Sequence, residues 1–189
     1  MDERNKTLEA RGKLFALLKE KAFRRGRVVL ASGRESDFYF DMKPAMLDPD
    51  GAALMAELIL QQIHGVKADC IGGLEMGAVP LASAVAVMSQ TLGWPLQAFF
   101  VRKQAKDHGA KKLVEGLAPN ESLQGKRVVI LEDVTTTGGS SMKAVEAVKA
   151  EGGNIARVIS IVDRLEGAAD SFKAAGIPFS AVLTVDDFR

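Results

Sequence analysis

The residues with the clearest chemical potential follow one apolar run in the second half of the chain. Val128 to Leu131 are apolar and mostly β-branched, which predicts a buried strand, and two adjacent carboxylates, Glu132 and Asp133, follow directly. Residues 135–141 then read T-T-T-G-G-S-S, and apolar residues recur at helical spacing from Met142 onward. The pattern predicts a strand, a turn rich in hydroxyl groups and glycine, and a helix.

Such a turn can bind a phosphate, because the first N–H groups of a helix lack intrahelical partners and the helix dipole is positive there. A dianionic phosphate alone would be repelled by Glu132 and Asp133. Carboxylates beside a phosphate site are favourable when the ligand also carries neutral hydroxyls, as a ribose 5-phosphate does, or when a magnesium ion is bound with it. The alternative is an ordinary strand-to-helix connection capped by Thr or Ser. The lysine of a G-x-x-x-x-G-K-[ST] loop is absent, which disfavours a nucleoside triphosphatase or kinase of that type.

The segment I-L-E-D-V-T-T-T-G-G-S resembles the phosphoribosyl diphosphate (PRPP) motif of the type I phosphoribosyltransferases. The resemblance implies that the two carboxylates hold ribose hydroxyls and that the turn holds the 5′-phosphate. The PRPP-binding residues that it implies here are Glu132, Asp133, Val134, Thr135, Thr136, Thr137, Gly138, Gly139 and Ser140.

A second informative stretch begins at Val101 and reads V-R-K-Q-A-K-D-H-G-A-K-K. Residues 102–112 hold five cations and one acid, although the net charge of the whole chain is only +1. Gly109 and the lack of a continuous apolar face favour a mobile surface loop over residues 102–116. A cationic loop with one histidine can close over a diphosphate and exclude water, and the alternative is a solvated charge run.

The run R-K-Q-A-K-D-H-G is similar to the catalytic loop of the orotate phosphoribosyltransferases. That resemblance implies catalytic roles in this loop and PRPP contacts that are often made from the neighbouring subunit of a homodimer. The catalytic residues implied are Lys103, Lys106, Asp107 and His108, and the PRPP contacts implied are Arg102, Lys103, Lys106 and His108.

Three further segments resemble the same family. S-G-R-E-S-D-F-Y-F-D is similar to a segment that lines the pyrimidine site, and D-R-L-E-G is similar to one whose arginine reads the pyrimidine. G-G-L-E-M-G-A-V-P resembles the diphosphate loop, but Met76 and Ala31 stand where relatives carry lysine. The orotate-binding residues implied are Tyr39, Phe40, Thr136 and Arg164.

The composition is that of an ordinary globular chain, with 47% hydrophobic and 26% charged residues over 189 positions. The near-neutral charge does not indicate nucleic-acid or membrane binding. A single cysteine, Cys70, excludes an internal disulfide and fits a reducing compartment. The polar N-terminus lacks a signal-peptide pattern, so a cytoplasmic location is expected. Two histidines and one cysteine offer no readable zinc site.

The elements alternate between strands and helices, which predicts an α/β fold with a mainly parallel central sheet flanked by helices. Leu8, Phe15, Leu18 and Ala22 predict the buried face of a first helix that ends near Gly26. Two short strands around a Gly/Ser turn follow, then a helix started by Asp48 and Pro49. Further strands are predicted at residues 69–73, 96–101, 156–162 and 179–185, and a short helix at about 167–175. Another helix is predicted after the turn that follows Gly73, with an inner face formed by Leu81, Ala84, Val85, Met88 and Leu92.

A single domain, 1–189, is expected, with a small N-terminal helix-plus-hairpin hood (1–47) and the loop 102–116. The turns after Gly73, Val101, Leu131 and Val162 should meet at one edge of the sheet, where such sheets bind ligands.

The interpretation is transfer of a phosphoribosyl group from PRPP to orotate, a step of UMP synthesis. It uses Mg²⁺ held mainly by PRPP, near Glu132 and Asp133, and no metal site of protein side chains alone is assigned. One alternative is a phosphoribosyltransferase for another base. The other is a nucleic-acid-binding regulator that senses PRPP, which would need a basic surface that this chain does not indicate.

Overall fold

Strands and helices alternate along the part of the chain that the structure describes. The computed structural model describes residues 3–29, 35–104 and 113–189, apart from the side chains of residues 3, 28 and 29. In chain order the elements are α1 (Glu3–Lys21), β1 (Phe23–Val29), β2 (Glu35–Phe40), α2 (Lys43–Met46), α3 (Pro49–Ile63), β3 (Cys70–Gly72), α4 (Ala78–Thr91), β4 (Gln97–Ala98), β5 (Phe100–Val101), β6 (Val114–Glu115), β7 (Arg127–Thr135), α5 (Gly139–Ala150), β8 (Asn154–Asp163), α6 (Ala168–Ala174), β9 (Phe179–Thr184) and a 3-10 helix (Val185–Phe188).

The central sheet has five strands in the order β4-β3-β7-β8-β9, and all its neighbouring pairs are parallel. The predicted parallel α/β fold is therefore confirmed. In β7, Val129 and Leu131 pack into the core that α1, α3 and α4 share. Val128 and Ile130 pack on the opposite face, with α5 and α6. Since alternate residues of a strand face opposite sides, a strand covered on both faces needs a continuous apolar run.

Helix α3 begins as the sequence predicts. Asp48 is the N-cap, and its Oδ1 accepts hydrogen bonds from the N–H groups of Asp50 and Gly51, both at 3.1 Å. Pro49 occupies the first helical position, where it removes an N–H that would have no intrahelical partner. Lys21 forms an ion pair with Asp48, so the end of α1 is tied to the start of α3.

The N-terminal part consists of α1, an antiparallel hairpin of β1 and β2, and the short α2. The buried face of α1 is formed by Ala10, Leu14, Leu18 and Ala22, each at most 5% exposed. The prediction that Leu8 shares this face is wrong, because Leu8 lies off the i, i+4, i+8 row and is 60% exposed. The helix ends at Lys21 instead of near Gly26, since β1 already begins at Phe23.

Two predictions around residues 92–116 also need correction. Leu92 follows the end of α4 and is 57% exposed, so it is not part of the buried face. The single strand predicted at 96–101 is two short ones: β4 joins the central sheet, while β5 pairs with β6 in an antiparallel ribbon. Because β6 includes Val114, which is buried, the last part of the predicted loop 102–116 is a strand.

No helix in the described part of the chain combines the length and the apolar character needed to cross a membrane.

Candidate active site

The turn between β7 and α5 lies at the carboxyl edge of the sheet. Gly138 is the N-cap of α5 and has φ +86°, a left-handed conformation that glycine adopts without strain. A Cβ there would lie 3.1 Å from the ring of Phe172, so a side chain would fit only if that ring moved by a few tenths of an ångström. The first intrahelical bond runs from Met142 N to Gly138 O at 2.9 Å, and the N-cap has no side-chain hydrogen bond. The first N–H groups of α5 thus retain the anion-binding capacity of an uncapped helix start.

Glu132 and Asp133 occupy successive positions of β7 and contact different helices. Glu132 is 7% exposed, and its Oε2 accepts a hydrogen bond from Ser141 Oγ of α5 at 2.7 Å. Asp133 lies against the start of α4, since a Cβ on Gly77 would lie 2.5 Å from Asp133 Oδ1. The same Oδ1 accepts a hydrogen bond from Val134 N at 2.8 Å. Both carboxylates are therefore held by surrounding backbone and side chains.

Burial dominates the electrostatics of this pair. It raises the pKa of Glu132 to about 8, and the neighbouring Asp133 charge acts in the same direction, while the Ser141 hydrogen bond opposes it. Burial also raises the pKa of Asp133 above its usual value. Without a ligand, burial therefore disfavours the charged form of both carboxylates. Hydrogen-bond donors or cations of a bound molecule would favour the charged forms, as the nearby Lys103 and Lys43 already do.

Both carboxylates line a cavity of 390 Å³. Cations stand on two sides of it: Lys43, which directly follows the N-terminal hairpin, and Lys103, which begins the cationic segment. The backbone N–H of Lys103 donates to Glu75 Oε1 at 2.9 Å, which fixes the start of that segment at the cavity. The other residues lining the cavity are Met46, Leu47, Leu74, Glu75, Met76, Gly77, Pro80 and Ser140.

The loop between β3 and α4 forms one wall of the cavity and contains a cis peptide bond between Glu75 and Met76. Met76 is 63% exposed and lies at the cavity. The resemblance noted in the sequence places lysine at this position in relatives, so this wall carries a thioether in place of a cation. Lys43 was missed by the sequence prediction. It stands at the cavity and interacts electrostatically with Asp133, but no motif marked it.

Arg164 directly follows β8, the strand that pairs with β7. Its backbone N–H donates a hydrogen bond to Thr135 O at 2.9 Å. The side chain is almost fully buried, with 6% of the residue exposed. Its Nη2 donates to Ser36 Oγ at 3.1 Å, its Nε lies 2.8 Å from Glu166 Oε1, and its guanidinium carbon lies 4.6 Å from the centre of the Phe38 ring. The predicted pyrimidine-reading arginine thus lies beside the phosphate turn and under the N-terminal hairpin.

The two aromatic residues predicted for orotate binding lie differently. Tyr39 is 39% exposed and alternates with Phe38 along β2. Phe40 is 6% exposed, and its ring packs on Phe23 and Phe188 at centroid distances of 5.1 and 5.0 Å. Among the described residues of β2, Phe38 is the ring that contacts Arg164, and the sequence prediction did not include it. The sequence signal that could have identified Phe38 is its position two residues after Ser36, on the same face of the strand as that serine.

The remaining predicted residues are only partly placed. Arg102 Nη1 lies 3.4 Å from Glu115 Oε1, so in this arrangement it pairs within the β5–β6 ribbon. Thr135 is buried, Thr136 is partly buried, and Thr137 is exposed on the turn. Lys106, Asp107 and His108 lie outside the described residues, as does Ala31. Their assigned roles stay predictions.

Comparison with known proteins decides the family. The model of the phosphoribosyl transferase domain matches residues 45–188, which is most of the chain. The chain belongs to the phosphoribosyltransferase family. It is 56% identical over 179 residues to an orotate phosphoribosyltransferase of Bradyrhizobium diazoefficiens, covering 95% of this chain and 96% of the relative.

Solved structures of relatives agree. The crystal structure of Mycobacterium tuberculosis orotate phosphoribosyltransferase in complex with Fe(III) dicitrate is 38% identical. It has a TM-score of 0.82 and covers 94% of this chain and 98% of that one. The same Mycobacterium enzyme in complex with PRPP is 35% identical with a TM-score of 0.77, over 94% of this chain and 98% of that one. The phosphoribosyltransferase fold is therefore shared across nearly the whole length.

Proposed function

We propose that this phosphoribosyltransferase transfers the phosphoribosyl group of PRPP to orotate, giving orotidine 5′-phosphate and diphosphate. The observation that carries the proposal is the sheet edge that joins three recognition elements. An uncapped helix start suits a phosphate, one buried and one partly buried carboxylate suit ribose hydroxyls, and a buried arginine at the end of the adjacent strand suits a planar base with acceptor groups. The curated relatives, which cover the same length, support orotate as the acceptor.

The reaction forms a bond between the ring nitrogen of orotate, deprotonated to its anion, and the anomeric carbon of the ribose, and it breaks the bond between that carbon and the diphosphate oxygen. The electron pair of the broken bond leaves with the diphosphate. Since orotate supplies the nucleophile, no protein nucleophile is required. The enzyme has to orient the reactants, stabilise a cation-like ribose, and stabilise the departing negative charge.

Each task has residues suited to it. The turn from Thr135 to Ser140 holds the 5′-phosphate, and Glu132 and Asp133 accept hydrogen bonds from the ribose hydroxyls. These bonds favour the ionised carboxylates, whose negative charge in turn stabilises the cation-like ribose. Lys103 and Lys43 stand at the same cavity, where positive charge stabilises the diphosphate. Arg164 orients the pyrimidine.

The donor set fits a magnesium ion that arrives with PRPP. In the described ranges, no group of three or more His, Cys, Asp or Glu residues can hold a metal by itself. Magnesium in phosphoryl and diphosphate sites usually keeps several waters and bridges substrate oxygens near one or two carboxylates. When bound, the ion neutralises charge on the diphosphate. Glu132 and Asp133 lie where such a complex would enter.

The cationic segment completes the proposal. Lys106, Asp107 and His108 act on PRPP as residues of a catalytic loop, with His108 supplying a proton or a hydrogen bond to the leaving diphosphate. We place this loop in the active site of the neighbouring subunit of a homodimer in the cytoplasm. Mixing a Lys106→Ala variant with a Glu132→Gln variant tests that arrangement, since hybrid dimers regain partial activity if the loop acts across the interface. Absence of any regain would place the loop in its own subunit.

The direct test is the loss of orotate ultraviolet absorbance when the purified protein is mixed with PRPP and Mg²⁺. The acceptor is identified by comparing orotate with uracil, adenine and hypoxanthine at equal concentration. Turnover with orotate alone is the expected result. Turnover of a purine in place of orotate would overturn the acceptor assignment while leaving the phosphoribosyl transfer intact.

A further inference from the structure

Arg164 is held by residues of the N-terminal hairpin that are 126 to 128 positions away in sequence, and nothing in its own strand accounts for this. Ser36 accepts a hydrogen bond from Nη2, and the Phe38 ring lies against the face of the guanidinium. Glu166 pairs with Nε from the following loop. A long side chain that is free in solution loses several rotamers when it binds a ligand, and contacts that fix it beforehand reduce that entropic cost.

The Ser36 hydroxyl is oriented for this contact. Its single proton is donated to Phe38 O at 2.8 Å, so only the oxygen lone pairs remain to face Arg164 Nη2. A hydroxyl fixed in this way acts as an acceptor toward the arginine and not as a donor toward the base. Among the described residues Nε lacks a hydrogen bond despite its ion-pair distance to Glu166, and none of the contacts above engages Nη1. These guanidinium donors therefore stay available for a carboxylate or carbonyl group of the base.

The Phe38 ring in turn packs against two other aromatic rings of the N-terminal hairpin. It lies 6.1 Å from the Phe23 ring and 5.9 Å from the Phe40 ring, and both of these pack against Phe188 in the C-terminal 3-10 helix. The hairpin is therefore anchored to the C-terminal 3-10 helix through tilted and edge-on rings. This anchor explains why Phe40 is buried, since its ring packs between Phe38 and Phe188.

We propose that Ser36 and Phe38 are positioning residues that hold Arg164 in place for the pyrimidine, so that discrimination of orotate from bases without its carboxylate depends on the hairpin as well as on the arginine. The inference rests on the proposed function and deepens it. It concerns the base half of the site alone, because neither residue lines the cavity of Glu132 and Asp133.

Kinetics of paired variants test the proposal. In Phe38→Leu the ring face is lost, and the KM for orotate should rise about 3- to 10-fold, the range of a partly desolvated cation–π contact. Phe38→Tyr keeps the face and should restore a KM within about twofold of the original. Ser36→Ala removes an acceptor from a buried charged donor and should raise the orotate KM by about tenfold. In all three variants the KM for PRPP should stay within about twofold, because the phosphate turn is untouched.

Two further measurements separate positioning from a general structural role. The ratio of the dissociation constant of uracil to that of orotate, each measured by calorimetry, should fall in Phe38→Leu and Ser36→Ala. In an Arg164→Ala background, adding Phe38→Leu should change the affinity for orotidine 5′-phosphate, measured by calorimetry, by less than about twofold, since residues acting through one group are not additive. Phe179→Leu is the matched control, because Phe179 stacks on Phe172 at the amino end of β9 and its loss should affect stability but not the orotate KM.

The outcomes are distinguishable from failure of the proposed function. If the unmodified protein does not turn over orotate, the proposed function fails first. If the protein does turn over orotate, two results would overturn the positioning role. One is that Phe38→Leu raises the KM values for orotate and PRPP equally. The other is that Phe38→Leu weakens binding of orotidine 5′-phosphate as much in the Arg164→Ala background as in the original protein.

Discussion

Replacing Glu132 with glutamine should stabilise the protein while abolishing most of its activity. The pKa of the buried carboxyl rises from 4.5 to about 8. Each pKa unit corresponds to about 1.4 kcal/mol, so full ionisation of Glu132 destabilises the folded state by at most about 5 kcal/mol. Between these two values the folded protein binds more protons than the unfolded chain, and its free energy of unfolding therefore falls as pH rises through that interval. Glutamine is neutral at every pH and similar in shape, and it can still accept the hydrogen bond from Ser141.

The expected gain in free energy of unfolding is smaller than this upper limit, because the ionisations of Glu132 and Asp133 are coupled and water relaxes around the pair. We expect Glu132→Gln to be about 1–3 kcal/mol more stable than the original at about pH 8.5, with the difference vanishing near pH 4.5. For a domain of this length, 1 kcal/mol corresponds to about 2–4 °C in Tm. Scanning calorimetry across that pH range measures the difference, and kcat/KM for PRPP should fall about 100-fold or more because the anionic partner of the ribose is gone.

The control is Glu146→Gln, an exposed acid on α5 whose replacement should change the free energy of unfolding by no more than about 0.5 kcal/mol. A Glu132→Gln protein that is less stable than the original at the alkaline end would refute the reasoning. So would a stability difference that does not vary with pH, because the argument depends on the ionisation of this one buried group.

Other substitutions test other parts of the structure. Gly77→Ala places a Cβ 2.5 Å from an oxygen of Asp133, and kcat/KM for PRPP should fall about 10- to 100-fold through displacement of that carboxylate. Gly12→Ala is its control, because the position lies in α1 and has open space around it. This substitution should raise the free energy of unfolding by about 0.5–1 kcal/mol and leave the kinetics unchanged. Lys106→Ala should lower turnover strongly with little change in Tm, and unchanged turnover would argue against the catalytic loop. Asp48→Ala removes the N-cap of α3 and should lower the free energy of unfolding, measured in urea, by about 1 kcal/mol.

Local sequence patterns predicted those features whose cause is local. The N-cap at Asp48 depends on the residues beside it, and the strand at Val128 to Leu131 depends on burial on both faces, which a continuous apolar run reports directly. The turn after β7 and the position of Arg164 at the end of β8 follow from the same parallel topology. The sequence therefore placed the phosphate turn, the carboxylates and the arginine at one edge.

Features that depend on distant contacts were not predictable. Phe38 and Phe40 are alternate residues on one face of β2. Only the positions of Arg164 and Phe188, which are distant in sequence, determine that Phe38 contacts the arginine and that Phe40 packs on Phe188. Lys43 lines the same cavity as Glu132 and Asp133 although it lies about 90 positions earlier in the sequence, and no local pattern predicts that proximity. Leu8 was misplaced for a related reason: helical spacing defines several rows, and packing against α3 selects one of them.

The arrangement of charge explains why the two halves of the site sit on neighbouring strands. The carboxylates on β7 are buried and resist ionisation, whereas Arg164 on the adjacent strand is permanently charged and already paired with Glu166. A direct ion pair between Arg164 and Glu132 would ionise the carboxylate before any ligand arrived and would occupy the donors needed for the base. Each charge has a partner of its own: Ser141 and the start of α4 for the acids, and the hairpin and Glu166 for the arginine. In the proposed function, ribose hydroxyls and cations of PRPP would add to the effect of Lys43 and Lys103 in favouring the ionised carboxylates, and that negative charge would stabilise the cation-like ribose.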